Sequence, residues 1–337
     1  MPSNGLRAPI NQGDDAMPKI DGKTVLVTGG AGFIGSNFVE RILGRAGRVI
    51  AYDNLSSGRY DLIKGFIKNR KFRFVKGDVL DYKTLSRVMK EEKPEVVIHF
   101  AANPDIQRGT KETDLDIQQG PVATHNLLEA ARQNSVKSIL YSSTSAIYGM
   151  ANVKPTPENY GPLKPISLYA ASKLACEGLI TAYGSLYGMN YYIYRFANIV
   201  GRNQTHGVIV DFIHKLKKNP KSLEVLGNGK QRKAYMDVVD CVDAMVFTYE
   251  NAKPNQIINL ATSGQTSVAE IARQVIARVS PEAKIRYTGT RQGWPGDVTN
   301  THLDNTRMLK LGIRLKYERS NEVVKHAIEI LTIKTHR

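Results

Sequence analysis

The chain has 337 residues, 42% of them hydrophobic, enough to build one large domain or two unequal ones around a shared cleft without a metal or disulfide staple. Its two cysteines, Cys176 and Cys241, show no ligand spacing and sit in apolar helical stretches, which reads as structural thiols in a reducing, cytoplasmic setting. The formal charge of +16 is spread along the chain with no basic arm and no basic-aromatic platform, which argues against nucleic acid as the main partner and for an anionic small molecule.

Residues 1–18 lack the apolar core of a signal peptide and are expected to be a disordered extension, with Met17 opening the patterned sequence. No apolar run approaches the roughly 20 residues of a membrane span, so no membrane partner is expected. The first predicted strand, TVLVT (24–28), runs into Gly29-Gly30-Ala31-Gly32-Phe33-Ile34-Gly35 and a helix beginning near Ile34. Glycines placed there let the backbone turn tightly and meet a pyrophosphate at the helix N-terminus, so Gly29, Gly32, Phe33, Ile34 and Gly35 are the candidate phosphate loop of a dinucleotide site. The second strand, RVIAYD (48–53), ends on Asp53, whose carboxylate suits both hydroxyls of an adenosine ribose and repels a 2′-phosphate, favouring NAD over NADP. Asn54 and Ser57 in the turn that follows are further candidate cofactor contacts.

The third strand, FRFVKG (72–77), leads to Asp78 and Val79, expected at the adenine. After a helix near Tyr82, the fourth strand, EVVIHFA (95–101), ends at Ala101, Ala102 and Asn103 beside the pyrophosphate; His99 within it reads as a core histidine. A helix near Ile117 precedes the fifth strand, KSILYSS (137–143), which leads into Ser142-Ser143-Thr144. A helix near Leu168 then presents Tyr169 and Lys173 four residues apart on one face. The Lys173 ammonium is expected to reach the cofactor ribose and to lower the phenol of Tyr169 from its ordinary value of about 10. A hydroxyl-bearing strand end and this helix, on the same sheet edge as the glycine loop, put a base and a hydrogen-bonding hydroxyl at one point.

With a sixth strand, MNYYIYRF (189–196), the alternation predicts a doubly wound α/β fold, a Rossmann-type parallel sheet, over 19–197. Residues 198–337 are expected to be mainly a smaller substrate-binding lobe. Its predicted helices lie near 207–218, 238–251, 267–279 and 321–334, and QIINLA (256–261) returns to the sheet.

The segments TGGAGFIGSN, YDNLSSG, GDVLD, HFAA, SSTSAIYG, YAASK and YRFANIVG resemble, in this order, the extended short-chain dehydrogenase/reductase family over residues 22–315. Within that family the nucleotide-sugar 4-epimerases acting on UDP-sugars look most similar. The resemblance implies that Thr144 hydrogen-bonds the sugar 4′-hydroxyl and that Tyr169 is the base. A hydride would leave C4 for NAD and return to the opposite face, with NAD kept as a prosthetic group. It also implies Asn198 at the substrate diphosphate, Val225 beside the nucleotide base, Lys233 and Arg291 on phosphate, Asp297 in the substrate site, no metal, and a homodimer through the helices near 117–134 and 168–187.

The chain departs from the family pattern at three places. Lys233-Ala234 stands for Arg-Asp, giving up the arginine fork; Trp294-Pro295-Gly296-Asp297 stands for Arg-x-Gly-Asp; and Gly120 replaces a common asparagine. Dehydratases and decarboxylases of the family carry an acid soon after the active-site threonine, whereas Ser145-Ala146-Ile147 follows here, favouring a hydride out-and-back reaction. The alternatives are one of those enzymes, a dehydrogenase of the same family, or a non-catalytic NAD-sensing module, the last opposed by intact Thr144, Tyr169 and Lys173.

Overall fold

Apolar, β-branched runs buried on both faces pair side by side as an all-parallel sheet. Its strands are β1 (Thr24–Thr28), β2 (Arg48–Asp53), β3 (Phe72–Lys76), β4 (Val96–His99), β5 (Ser138–Thr144), β6 (Asn190–Phe196) and β7 (Gln256–Leu260). The computed structural model describes residues 17–289 and 296–333; most of the expected extension 1–18 lies outside them.

The strand order is β7-β6-β5-β4-β1-β2-β3, with Val25 of β1 opposite both Val49 and Val96. The order reverses at β1, so the chain leaves β1 and β4 in opposite directions and a crevice opens at their carboxyl ends. Alternation along β1 sends Leu26 to one core and Val25 and Val27 to the other. On Leu26's side, α2 (Tyr82–Glu92), α3 (Ala123–Gln133) and α4 (Leu168–Tyr187) bury Leu85, Leu127 and Ile180. On the other side α1 (Phe33–Leu43) buries Phe38 and Ile42.

The helix expected near Ile117 is broken. A short turn, Leu115–Ile117, passes into a π-turn, Gln118–Val122, before α3 begins. Pro121 inside that turn has no N–H to donate and its ring crowds the carbonyl four residues back, so the backbone widens there.

Beyond β6 the chain builds a third core from α5 (Val208–Lys218), α7 (Val268–Val279) and α8 (Ser320–Ile333), packed around Leu223, Val225 and Tyr235. Helix α6 (Val238–Asn251) leaves that lobe and lies on α1, where Asp243 pairs with Arg41 at 2.5 Å and Glu250 accepts from the Ile20 amide at 3.0 Å. Strand β7 then adds to β6, with Ile258 opposite Tyr194. Among the described residues, no helix is long and apolar enough to cross a membrane.

Candidate active site

The glycine loop sits where β1 turns into α1. The Gly32 amide donates to the Gly29 carbonyl at 3.0 Å, and a Cβ on Gly35 would lie 2.0 Å from that same oxygen. Only glycine at 35 lets the first turn of α1 close onto the loop. No side chain caps α1 and its first turn carries no acid, so the amides around Phe33 and Ile34 keep their positive end for an anion.

Asp53 is 7% exposed and accepts from the Ala31 amide at 3.0 Å and the Leu55 amide at 2.8 Å. Those two bonds leave lone pairs free for a pair of ribose hydroxyls. Asp78 accepts from the Leu80 amide and from Asn54 Nδ2, at 2.8 and 2.9 Å, with buried Val79 beside it; Ser57 is exposed at the rim. Ala101, Ala102 and Asn103 line the crevice beyond β4. An uncapped helix start and an acid at the end of β2 make a donor set that fits NAD.

His99 is 1% exposed between Thr28 Oγ1 (2.7 Å) and Thr124 Oγ1 (3.1 Å), and burial pushes it down to about 3. It is a neutral core residue. Cys176 and Cys241 are likewise buried and unpaired.

Ser167 caps α4, accepting from the Ala170 amide at 3.2 Å, and so fixes the register in which Tyr169 and Lys173 meet the end of β5. Thr144 ends that strand and its hydroxyl accepts from the Ala146 amide at 3.2 Å. Lys173 is 4% exposed; its Nζ donates to the Ser142 carbonyl at 2.8 Å and lies 4.8 Å from the Tyr141 ring centre. Ser142 Oγ donates to the His99 carbonyl at 3.1 Å, tying β5 to β4.

Burial pushes the Lys173 ammonium down to about 8 against the pull of Cys176, Glu177 and Asp116. Burial pushes the Tyr169 phenol up to about 12, opposed by a hydrogen bond with Thr144. This reverses the lowering expected from Lys173. Its Nζ is 5.9 Å from the Tyr169 ring centre and turned to the strand, so desolvation outweighs its charge at the phenol.

The C-terminal lobe differs more from expectation. Lys233 Nζ lies 2.7 Å from Asp297 Oδ1, so two residues expected to meet ligand separately are paired with each other. Val225 is fully buried in the lobe core, and the expected contact with a base is not met in this geometry; its neighbour Leu226 is 41% exposed instead. Asn198 is half-buried, its Nδ2 donating to the Ala234 carbonyl at 3.3 Å. Arg291 lies outside the described residues. Among those described, no cluster of His, Cys, Asp or Glu is arranged to hold a metal.

The pattern of the NAD dependent epimerase/dehydratase family matches residues 25–261. The chain belongs to this family. The UDP-glucose 4-epimerase of Mycolicibacterium smegmatis is 34% identical over 287 residues, 84% of this chain and 90% of that protein. A crystal structure of a UDP-galactose 4-epimerase superposes with a TM-score of 0.81 at 37% identity, covering 92% of this chain and 99% of that one. The Thermotoga maritima UDP-glucose 4-epimerase, solved with UDP-glucose, gives 0.84 at 30% identity, with 93% and 100% covered.

Three residues of this family member were not marked by sequence reasoning as site residues. Glu177 and Arg195 form a buried ion pair, each side chain 5% exposed, with Nη2 to Oε2 at 2.8 Å and Nε to Oε1 at 3.1 Å. Ser143 donates to Glu177, and Arg195 also donates to the Tyr148 hydroxyl at 2.9 Å, so the pair locks the Ser142–Thr144 strand end to α4 and β6. The available signal was Glu177 four residues after Lys173 on the same helical face, and an arginine inside an apolar strand. Asp116, buried beside Lys173, carried no periodic signal, because Pro121 breaks the helix pattern around it.

Proposed function

We propose that the chain is an NAD-dependent 4-epimerase of UDP-sugars of the glucose/galactose type. The observation that carries this is the meeting of Thr144 and Tyr169 beside Lys173 at the carboxyl edge of the sheet, with Ser145 and Ala146 rather than a carboxylate next along the strand end. That arrangement can remove and restore one proton but has no adjacent acid to expel water. The epimerase relatives, matched along nearly their whole length, support the same reading.

In this reading Thr144 orients the sugar 4-hydroxyl, Tyr169 accepts its proton and gives it back, and Lys173 stabilises the phenolate. Bound NAD supplies the hydride acceptor and donor, and its positive nicotinamide favours the phenolate. Asp53 and the open start of α1 hold the ribose and pyrophosphate. Asn198 and the Lys233–Asp297 pair stand on the lobe side for the nucleotide diphosphate.

Exposed Ile117 and Val122 before α3 and exposed Leu186 and Tyr187 at the end of α4 lie on the two helical segments proposed to meet a second copy in a homodimer. Two buried, unpaired thiols accord with a reducing cytoplasm.

The test is incubation with UDP-glucose, UDP-galactose and their N-acetyl and glucuronate counterparts without added NAD, following the C4 configuration by NMR. A reversible mixture of C4 epimers is expected; a 4-keto or decarboxylated product overturns the reading.

A further inference from the structure

Asp116 stands in the short turn Leu115–Ile117 and is 2% exposed. Its Oδ1 accepts from Asn103 Nδ2 at 3.0 Å, but its Oδ2 has no partner. A Cβ on Gly109 would lie 2.1 Å from Oδ2, so the absence of a side chain there is what admits the carboxylate. A buried carboxylate left half-satisfied is costly unless a charge nearby balances it. Lys173 is the cation that acts on it.

Asp116, Asn103, Gly120, Tyr169, Ser172 and Lys173 line one pocket, which has room for a single water molecule. Gly120 opens it: a Cβ there would come within 3.0 Å of Ser172. Lys173 has three N–H bonds, of which one goes to the Ser142 carbonyl. The titratable groups about it are Tyr169, Cys176 and Glu177 on its own helix, His99 and Tyr141 from the sheet, and Asp116. Glu177 is already held by Arg195, so Asp116 is the carboxylate of this group without another cation.

We propose that Asp116 is a positioning residue for the Tyr169–Lys173 couple, its open Oδ2 holding the Lys173 ammonium charged and in place through one water in the pocket beside Gly120. This rests on the reading of Tyr169 as base and Lys173 as its charged partner. The carboxylate raises both the ammonium and the phenol. Its loss therefore moves both limbs of the pH profile of kcat to lower pH, the alkaline limb because Lys173 sheds its proton sooner.

The test compares the wild-type holoenzyme with Asp116→Asn, which keeps the shape and the bond from Asn103, using UDP-galactose as substrate. The expected result is a downward move of the alkaline limb by about half a pH unit or more, with the thermal midpoint and NAD content held. A lower kcat with both limbs in place would mean a merely structural role and overturn the proposal. Asp116→Glu keeps the charge and is expected to keep the wild-type limb even at reduced rate; a displaced limb there also overturns it. Tyrosinate absorbance, taken as a difference from Tyr169→Phe, follows the phenol without substrate and should titrate at lower pH in Asp116→Asn; an unmoved midpoint overturns the proposal. A wild-type protein that does not turn over UDP-galactose would count against the reaction assigned above, while the absorbance titration would still decide on Asp116.

Discussion

At the carboxyl edge of the sheet, charged and hydroxyl groups are held open toward a crevice, whereas in the C-terminal lobe Lys233 and Asp297 neutralise each other. The edge is built from strand ends whose positions are fixed by a ladder of parallel hydrogen bonds, so Asp53, Thr144 and the residues after β4 have little freedom. Around Lys233 the lobe has only two-residue strands, Arg232–Lys233 and Asn300–Thr301, where a side chain can find a protein partner in place of a ligand. Under the proposed reading, chemistry belongs to the rigid half and recognition to the half that carries two of the chain's three departures from the family pattern.

Four changes would break or sharpen that contrast. Tyr169→Phe should lower kcat by about 10²–10⁴-fold while NAD remains bound, measured by C4 interconversion and by NAD released on denaturation; substantial turnover would remove Tyr169 from the chemistry. Gly35→Ala drives a methyl against the Gly29 carbonyl and should cost about 1–3 kcal/mol of stability together with NAD affinity, read from thermal melts with and without NAD.

The alkaline limb tests the edge alone. With bound NAD drawing the Tyr169 phenol below the Lys173 ammonium, the active pair is phenolate and ammonium, and turnover should fall about tenfold per pH unit above about 8 as Lys173 loses its proton. A rate constant that stays flat well above that value would show either that the ammonium is not needed or that the phenol still ionises above it in the holoenzyme. On the lobe side, Lys233→Met leaves the buried Asp297 without that partner and should raise KM for a UDP-sugar about tenfold, ~1.4 kcal/mol, with kcat and NAD content nearly unchanged. Lys233→Arg should do less. A loss of kcat in Lys233→Met would show that the two regions act together.

Local pattern determined the strands of the sheet, the glycine loop, the acid at Asp53 and the Tyr169–Lys173 spacing, because each depends on periodicity or on residues adjacent along the chain. Alternating strands and helices gave the parallel, doubly wound sheet, while its order, β7-β6-β5-β4-β1-β2-β3, was decided by the tertiary pairing. Tertiary structure alone decided that burial lifts Tyr169 above its ordinary range and that Val225 belongs to a core. It alone joined Lys233 to Asp297, Glu177 to Arg195, and left Asp116 open beside Lys173. Those outcomes depend on desolvation and on contacts between residues far apart in the chain, and neither leaves a period or a spacing to read.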